Sequence, residues 1–157
     1  MRYFLFIALF LSNTVSFAIN QFPRGCEVTG FTWHEYYLVL SDNPKQTFYL
    51  IQNRSDKNIE LIRHTDKPVF MSPKLRAHLG PKKWSGFALD EKMAYFQCLE
   101  KKDGNISPVK CSEVLEICQY PRVKFALSNM GTYWVATNKP QRKVIRDAIS
   151  KGLLLRW

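Results

Sequence analysis

The residue types that carry chemistry in proteins are sparse in this sequence, and their spacing assembles no familiar site. The three histidines, His34, His64 and His78, lack the i, i+4 spacing by which one helix face presents two imidazoles to a zinc ion. The four cysteines, Cys26, Cys98, Cys111 and Cys118, contain no C-x-x-C pair, so neither a zinc ribbon nor a thioredoxin-like redox site is supported. His64-Thr65-Asp66 with Ser72 or Ser85 holds the residue types of a hydrolase triad, but no G-x-S-x-G elbow accompanies it. Polar residues at strand ends are the plainer reading. The seven glycines are scattered among turns and form no phosphate-binding loop. The sequence predicts no catalytic residue, no metal site and no cofactor, hence a protein that is not an enzyme.

Two further patterns have bland readings beside their functional ones. Asn53-Arg54-Ser55 and Asn105-Ile106-Ser107 match the glycosylation acceptor pattern, which short sequences also meet by chance. Trp33, Trp84, Trp134, Trp157 and the pairs Tyr36-Tyr37 and Tyr133-Trp134 have the makings of a carbohydrate-stacking platform. In a small β protein such rings more often fill the core, although adjacent pairs put one ring on each face of a sheet.

The amino-terminal residues bear on location. Arg2 precedes a short apolar run over residues 3–11, a polar break at Ser12-Asn13-Thr14, and Ser16-Phe17-Ala18 with small residues at −3 and −1. That is the pattern of a secretory signal peptide over residues 1–18, cleaved after Ala18. The run is shorter than the about 20 residues of a bilayer-spanning helix. Residues 19–157 then form one exported domain with no transmembrane segment, its cysteines paired in an oxidising compartment. Four cysteines allow three pairings. Cys98 and Cys111 flank a hairpin turn, so one bridge closes that hairpin, given a bulge near Pro108. Cys26–Cys118 is then the long-range bridge, and a Cys111–Cys118 link would defeat the assignment.

Charge is where the chain departs most from the average. Its formal net charge is +10, or +9 without Arg2. Residues 119–157 hold eight cations and one acid, Asp147, which leaves +2 for residues 19–118. In an exported protein that excess fits an anionic envelope polymer, lipid headgroups or an acidic partner, and export argues against nucleic acid. A solvated surface that only aids solubility is the competing reading.

With 46% hydrophobic and 14% aromatic residues the chain can build a core, and its periodicities say which kind. Strands are predicted at 25–33, 35–40, 46–52, 59–65 and 93–100, with short strands across the Pro/Gly-broken stretch 66–89. Residues 48–53 and 59–62 read as a hairpin about the 55–58 turn cluster. Lys102-Asp103-Gly104-Asn105 is the strongest hairpin signal, with Pro108 marking an edge strand. Residues 112–117 suit a single helical turn, and 122–128 and 132–137 two strands about Asn129-Met130-Gly131. A helix over about 139–151 is predicted, with Asn138 as its N-cap, Pro140 in its first turn and Gly152 at its end. Its apolar stripe is Val144, Ile145, Ala148 and Ile149, and residues 153–157 read as a final strand. The class is mainly β: an antiparallel β-sandwich, Ig-like or small-barrel-like, with one C-terminal α-helix.

Several segments together resemble the enhanced entry protein EnhB family, small exported proteins of Gram-negative bacteria that live inside host cells. They are Gly25-Cys26-Glu27-Val28-Thr29-Gly30, Phe48-Tyr49-Leu50-Ile51-Gln52-Asn53 and Cys118-Gln119-Tyr120-Pro121-Arg122. Lys124-Phe125-Ala126-Leu127-Ser128-Asn129-Met130-Gly131 and Thr137-Asn138-Lys139-Pro140-Gln141 belong to the same set. The resemblance spans nearly all of residues 19–157 and carries no active-site motif. It implies a periplasmic protein linked to host-cell entry or intracellular growth, beside a helical-repeat periplasmic companion associated with cell-wall maintenance.

The expectation is a periplasmic binding or adaptor module that engages an envelope protein or peptidoglycan through Arg142, Lys143, Arg146 and Lys151. The alternative is an inhibitor of a cell-wall hydrolase or lysozyme-like enzyme. Charge separates the two in part, because lysozymes are strongly basic and would repel a +9 partner.

Overall fold

The protein is described by a computed structural model that covers residues 22, 23, 25–27, 31–41, 47–64, 76–89, 93–120 and 132–152. The predicted signal peptide and the strands predicted at 122–128 and 153–157 lie outside the described residues. In chain order the elements are β1 (Phe31–His34), β2 (Tyr37–Ser41), β3 (Thr47–Asn53), β4 (Ile59–His64), β5 (Arg76–Leu79) and β6 (Trp84–Leu89). Then follow β7 (Met93–Lys102), β8 (Asn105–Pro108), α1 (Cys111–Val114), β9 (Leu115–Tyr120), β10 (Thr132–Lys139) and α2 (Gln141–Ser150).

The strands make two antiparallel sheets, as a sandwich requires. One runs β1-β2-β7-β4-β5, with β8 continuing along β7; the other runs β10-β6-β3-β9. Alternation in the first sheet sends Leu38, Leu40, Ile59, Leu61 and Phe96 inward, where they meet Tyr49, Ile51, Phe87 and Leu89 of the second. Phe87 is central: it stacks on Tyr49 at 5.2 Å and touches Phe96 and Trp134.

The second sheet is covered on both faces. Every residue of β3 is buried, because Tyr49 and Ile51 face the other sheet while Phe48 and Leu50 join a second cluster with Val144 and Ala148 of α2. The middle of β3, residues 48–51, reads as an unbroken apolar run with no alternation. It also explains a departure from the sequence reading: β3 and β4 form no hairpin. The two-sided strand β3 pairs with β6 and β9, whereas the one-sided β4 pairs with β5 and β7. The connection at 54–58 carries the chain from one sheet to the other.

The turn at Asp103-Gly104 is as predicted. Both residues have positive φ, 50° and 84°, the conformation of a two-residue type I′ turn, and Lys102 faces Asn105 across it. The two disulfides are Cys98–Cys111 and Cys26–Cys118, each with Cα atoms 5.4 Å apart. No bulge is needed for the first. The ladder runs unbroken to Leu99 opposite Pro108, the Val109 N–H donates to the Cys98 carbonyl at 3.0 Å, and the helical turn α1 carries Cys111 back to Cys98. That turn occupies 111–114, not 112–117, since Leu115 already pairs with Asn53 in β9.

Helix α2 packs on β10 and β6, buries Val144, Ile145 and Ala148, and is followed by Gly152. It sits close because β6 has a glycine beneath it: a Cβ on Gly86 would lie 2.6 Å from the Phe48 ring and 2.8 Å from Val144. Two details differ from expectation. Asn138 is not the N-cap; it belongs to β10, and its side-chain oxygen accepts the Gly80 N–H at 2.9 Å. Pro140 takes the cap position, with no side-chain capping bond. Ile149 is 45% exposed, because the contact line runs through Val144, Ile145 and Ala148, and the last turn rotates off the sheet.

Candidate functional site

Helix α2 is where fold and charge asymmetry meet. With one stripe held against the sheet, the 3.6-residue period turns Arg142, Lys143 and Arg146 outward, and all three are exposed. Among the described residues they form no ion pair. The single acid of the helix is already taken: Lys139 donates to Asp147 at 2.6 Å. Lys151, just past the helix, is also exposed but engaged; its ammonium lies 5.4 Å from the Tyr133 ring centre and 3.2 Å from its hydroxyl. Of the four predicted partner-binding residues, Arg142, Lys143 and Arg146 share the outer side of α2 and form no ion pair among the described residues, whereas Lys151 lies against Tyr133 on another flank.

This arrangement works against local stability. Arg142 and Lys143 occupy the first turn, where the positive end of the helix dipole disfavours cations, and that turn contains no acid. Asp147 is the acid that the nearby cations surround. The hydrogen bond from Lys139 holds its carboxyl below the usual carboxylate value, helped by the charges of Lys139, Arg146 and Lys143 and opposed by burial. Because the folded-state value lies below the unfolded one, the Lys139–Asp147 tie stabilises the fold at neutral pH. That contribution disappears as pH falls through the lowered folded value. Asp147→Asn should therefore lower the thermal midpoint at pH 7, and the gap to wild type should close in an acid titration. A gap of constant size down to the acid limit would refute this assignment.

The other candidates do not converge. His34, His64 and His78 lie on β1, β4 and β5, and among the described residues no three His, Cys, Asp or Glu side chains gather for a metal. His64 stands 3.1 Å from the Gln97 amide oxygen and edge-on to the Tyr37 ring. Ser85 is wholly buried in the other sheet, where its hydroxyl accepts the Asn138 N–H at 3.3 Å, so His64 and Ser85 form no pair. Thr65, Asp66 and Ser72 lie outside the described residues. Nor do the tryptophans form a platform. Trp84 is buried, Trp33 and Trp134 pack against the inter-sheet core, and Trp157 lies outside the described residues. Among the described residues, Tyr37, Met93 and Ile106 are the large apolar side chains left exposed on the first sheet.

The two acceptor-pattern asparagines have opposite surroundings. Asn105 is exposed beside the hairpin turn, lining an open polar groove with Lys57, Glu100, Lys102, Asp103 and Ser107, where Lys57 and Glu100 pair at 2.6 Å. Asn53 is fully buried. Its amide donates to the carbonyls of Lys57, Leu79 and Gly80 at 2.7–3.0 Å, and its oxygen accepts the Ser55 N–H and hydroxyl. Sequence reasoning noted at Asn53 only an acceptor pattern that also arises by chance, and missed this structural role. The available signal was the polar pair Gln52-Asn53 closing the apolar run of residues 48–51.

Two disulfides mark a chain that matures in an oxidising, extracytoplasmic compartment. Among the described residues no helix is long and apolar enough to cross a membrane. In comparisons with known proteins, the chain matches no protein-family model, no curated protein and no solved structure.

Proposed function

We propose that this protein is a non-enzymatic periplasmic binding or adaptor module that docks on an anionic component of the envelope through the outer face of α2. The observation that carries the reading is a trio of exposed cations, Arg142, Lys143 and Arg146, on a helix whose one acid is committed to Lys139. Periplasmic location rests on the disulfides together with the signal-peptide pattern of residues 1–18. The resemblance to the enhanced entry protein EnhB family supports a link to host-cell entry or intracellular growth. The net positive charge favours an adaptor over an inhibitor of lysozyme-like enzymes, which are themselves basic.

Exposed cations set encounter rate and salt dependence more than folding stability. The triple variant R142E/K143E/R146E should keep its thermal midpoint within a few degrees of wild type, since it removes no buried contact. In co-sedimentation with washed envelopes, it should lose most of the wild-type binding, and what remains should no longer weaken with salt. Envelope binding equal to wild type would refute the proposal.

A further inference from the structure

We infer that the outer flank of α2 is a peripheral docking surface for anionic phospholipid, with Ile149 entering the interface beneath a pair of arginines. This rests on the reading that the basic face binds, and names what it binds. On a helix, residues four and seven apart share a face, so Arg142, Arg146 and Ile149 form one strip roughly 10 Å long. The opposite flank is occupied by the Lys139–Asp147 pair and by Lys151 over Tyr133, so no acid lies on the strip. Val144, Ile145 and Ala148 fix the helix to its sheet and present the strip along its whole length.

The chemistry of the strip selects among anionic partners. Ile149 is 45% exposed among cations. A hydrated polysaccharide offers an aliphatic side chain no apolar phase, and sugars stack on aromatic faces, which this strip lacks. A bilayer surface offers both needs: phosphates at the depth of the guanidinium groups and acyl chain below, with arginine stems long enough to span the difference.

The test is co-sedimentation of the disulfide-bonded protein with vesicles of phosphatidylcholine alone or mixed with phosphatidylglycerol, whose negative surface potential attracts basic segments, and separately with immobilised polyphosphate. Wild type should bind the anionic vesicles and not the neutral ones. R142E/K143E/R146E should lose on the order of 100-fold in vesicle affinity, at about tenfold or less per cation. Ile149→Ser should lose about tenfold, the transfer of one partly exposed aliphatic side chain, at an unchanged thermal midpoint. Lys101→Glu, on the distant hairpin, should change nothing. Binding to polyphosphate that the triple variant abolishes, without preference for anionic vesicles, would overturn the lipid assignment and leave the basic-face reading standing. Unchanged vesicle binding by Ile149→Ser would overturn insertion. Wild-type binding of vesicles and polyphosphate by the triple variant would overturn both.

Discussion

Replacing Cys26 and Cys118 together by alanine should lower the unfolding free energy by about 4–5 kcal/mol. The bridge spans 92 residues, and in the chain-entropy model a loop of that length restricts the unfolded ensemble by that amount, against about 3 kcal/mol for the 13-residue Cys98–Cys111 loop. Domains of this size hold about 5–15 kcal/mol in all, so the variant should stand near the threshold of folding at 37 °C. The loss should also have a location. Cys26 anchors a segment in which Glu27 and Gln119 exchange two backbone hydrogen bonds of 2.8 Å and Phe22 lies edge-on to Trp84 at 5.3 Å. The same cover buries Tyr120, whose phenol is pushed up to about 12 by desolvation. Denaturation in urea under non-reducing conditions measures the first effect, and a fluorescence shift of Trp84 in the folded variant reports the second. A stability change below about 1 kcal/mol would show that the bridge constrains little.

Asn53→Ala should cost about 3–5 kcal/mol, an unusual amount for one small polar side chain. The Asn53 amide joins three carbonyls from two turns, and truncation leaves the buried Leu79 and Gly80 oxygens without that donor. Each buried polar group deprived of its partner costs about 1–3 kcal/mol. The damage should spread, because Gly80 also donates to the Asn138 side chain at the end of β10, immediately before α2. Asn53→Asp should be no milder: it keeps the acceptor for Ser55, removes both donors and buries a charge. Chemical denaturation decides the matter. A loss under about 1 kcal/mol for Asn53→Ala would mean that water replaces the amide at no cost.

These two sites differ in how far the sequence foretold them. The Cys98–Cys111 pairing followed from a hairpin turn that Asp103-Gly104 announces, and Cys26–Cys118 followed by remainder. Alternating segments such as Ile59-Glu60-Leu61-Ile62 and the Val144–Ala148 stripe were legible because their periods record one buried face. The partnership of β3 was not. A strand buried on both faces has no period to report, so its register depends on α2, nearly a hundred residues further along. The role of Asn53 was missed, and Asn138 misread as a cap, for a related reason. Their hydrogen bonds reach 26–27 and 58 residues away, and a local pattern of asparagine, proline and serine carries no trace of them. The exposed cations of α2 were visible from charge and helical period alone. What the fold added is that Asp147 and Lys151 are engaged, while Arg142, Lys143 and Arg146 form no ion pair among the described residues.

Lysine footprinting locates the binding surface most directly. Trace acetylation of the folded protein, with and without washed envelopes, followed by peptide mapping, reads the accessibility of each ammonium group. If the α2 face docks, Lys143 should become several-fold less reactive, while Lys57, Lys101 and Lys110 on the β7–β8 side stay unchanged. Protection of those hairpin-side lysines with Lys143 unaffected would contradict the account and move the binding surface to the other sheet.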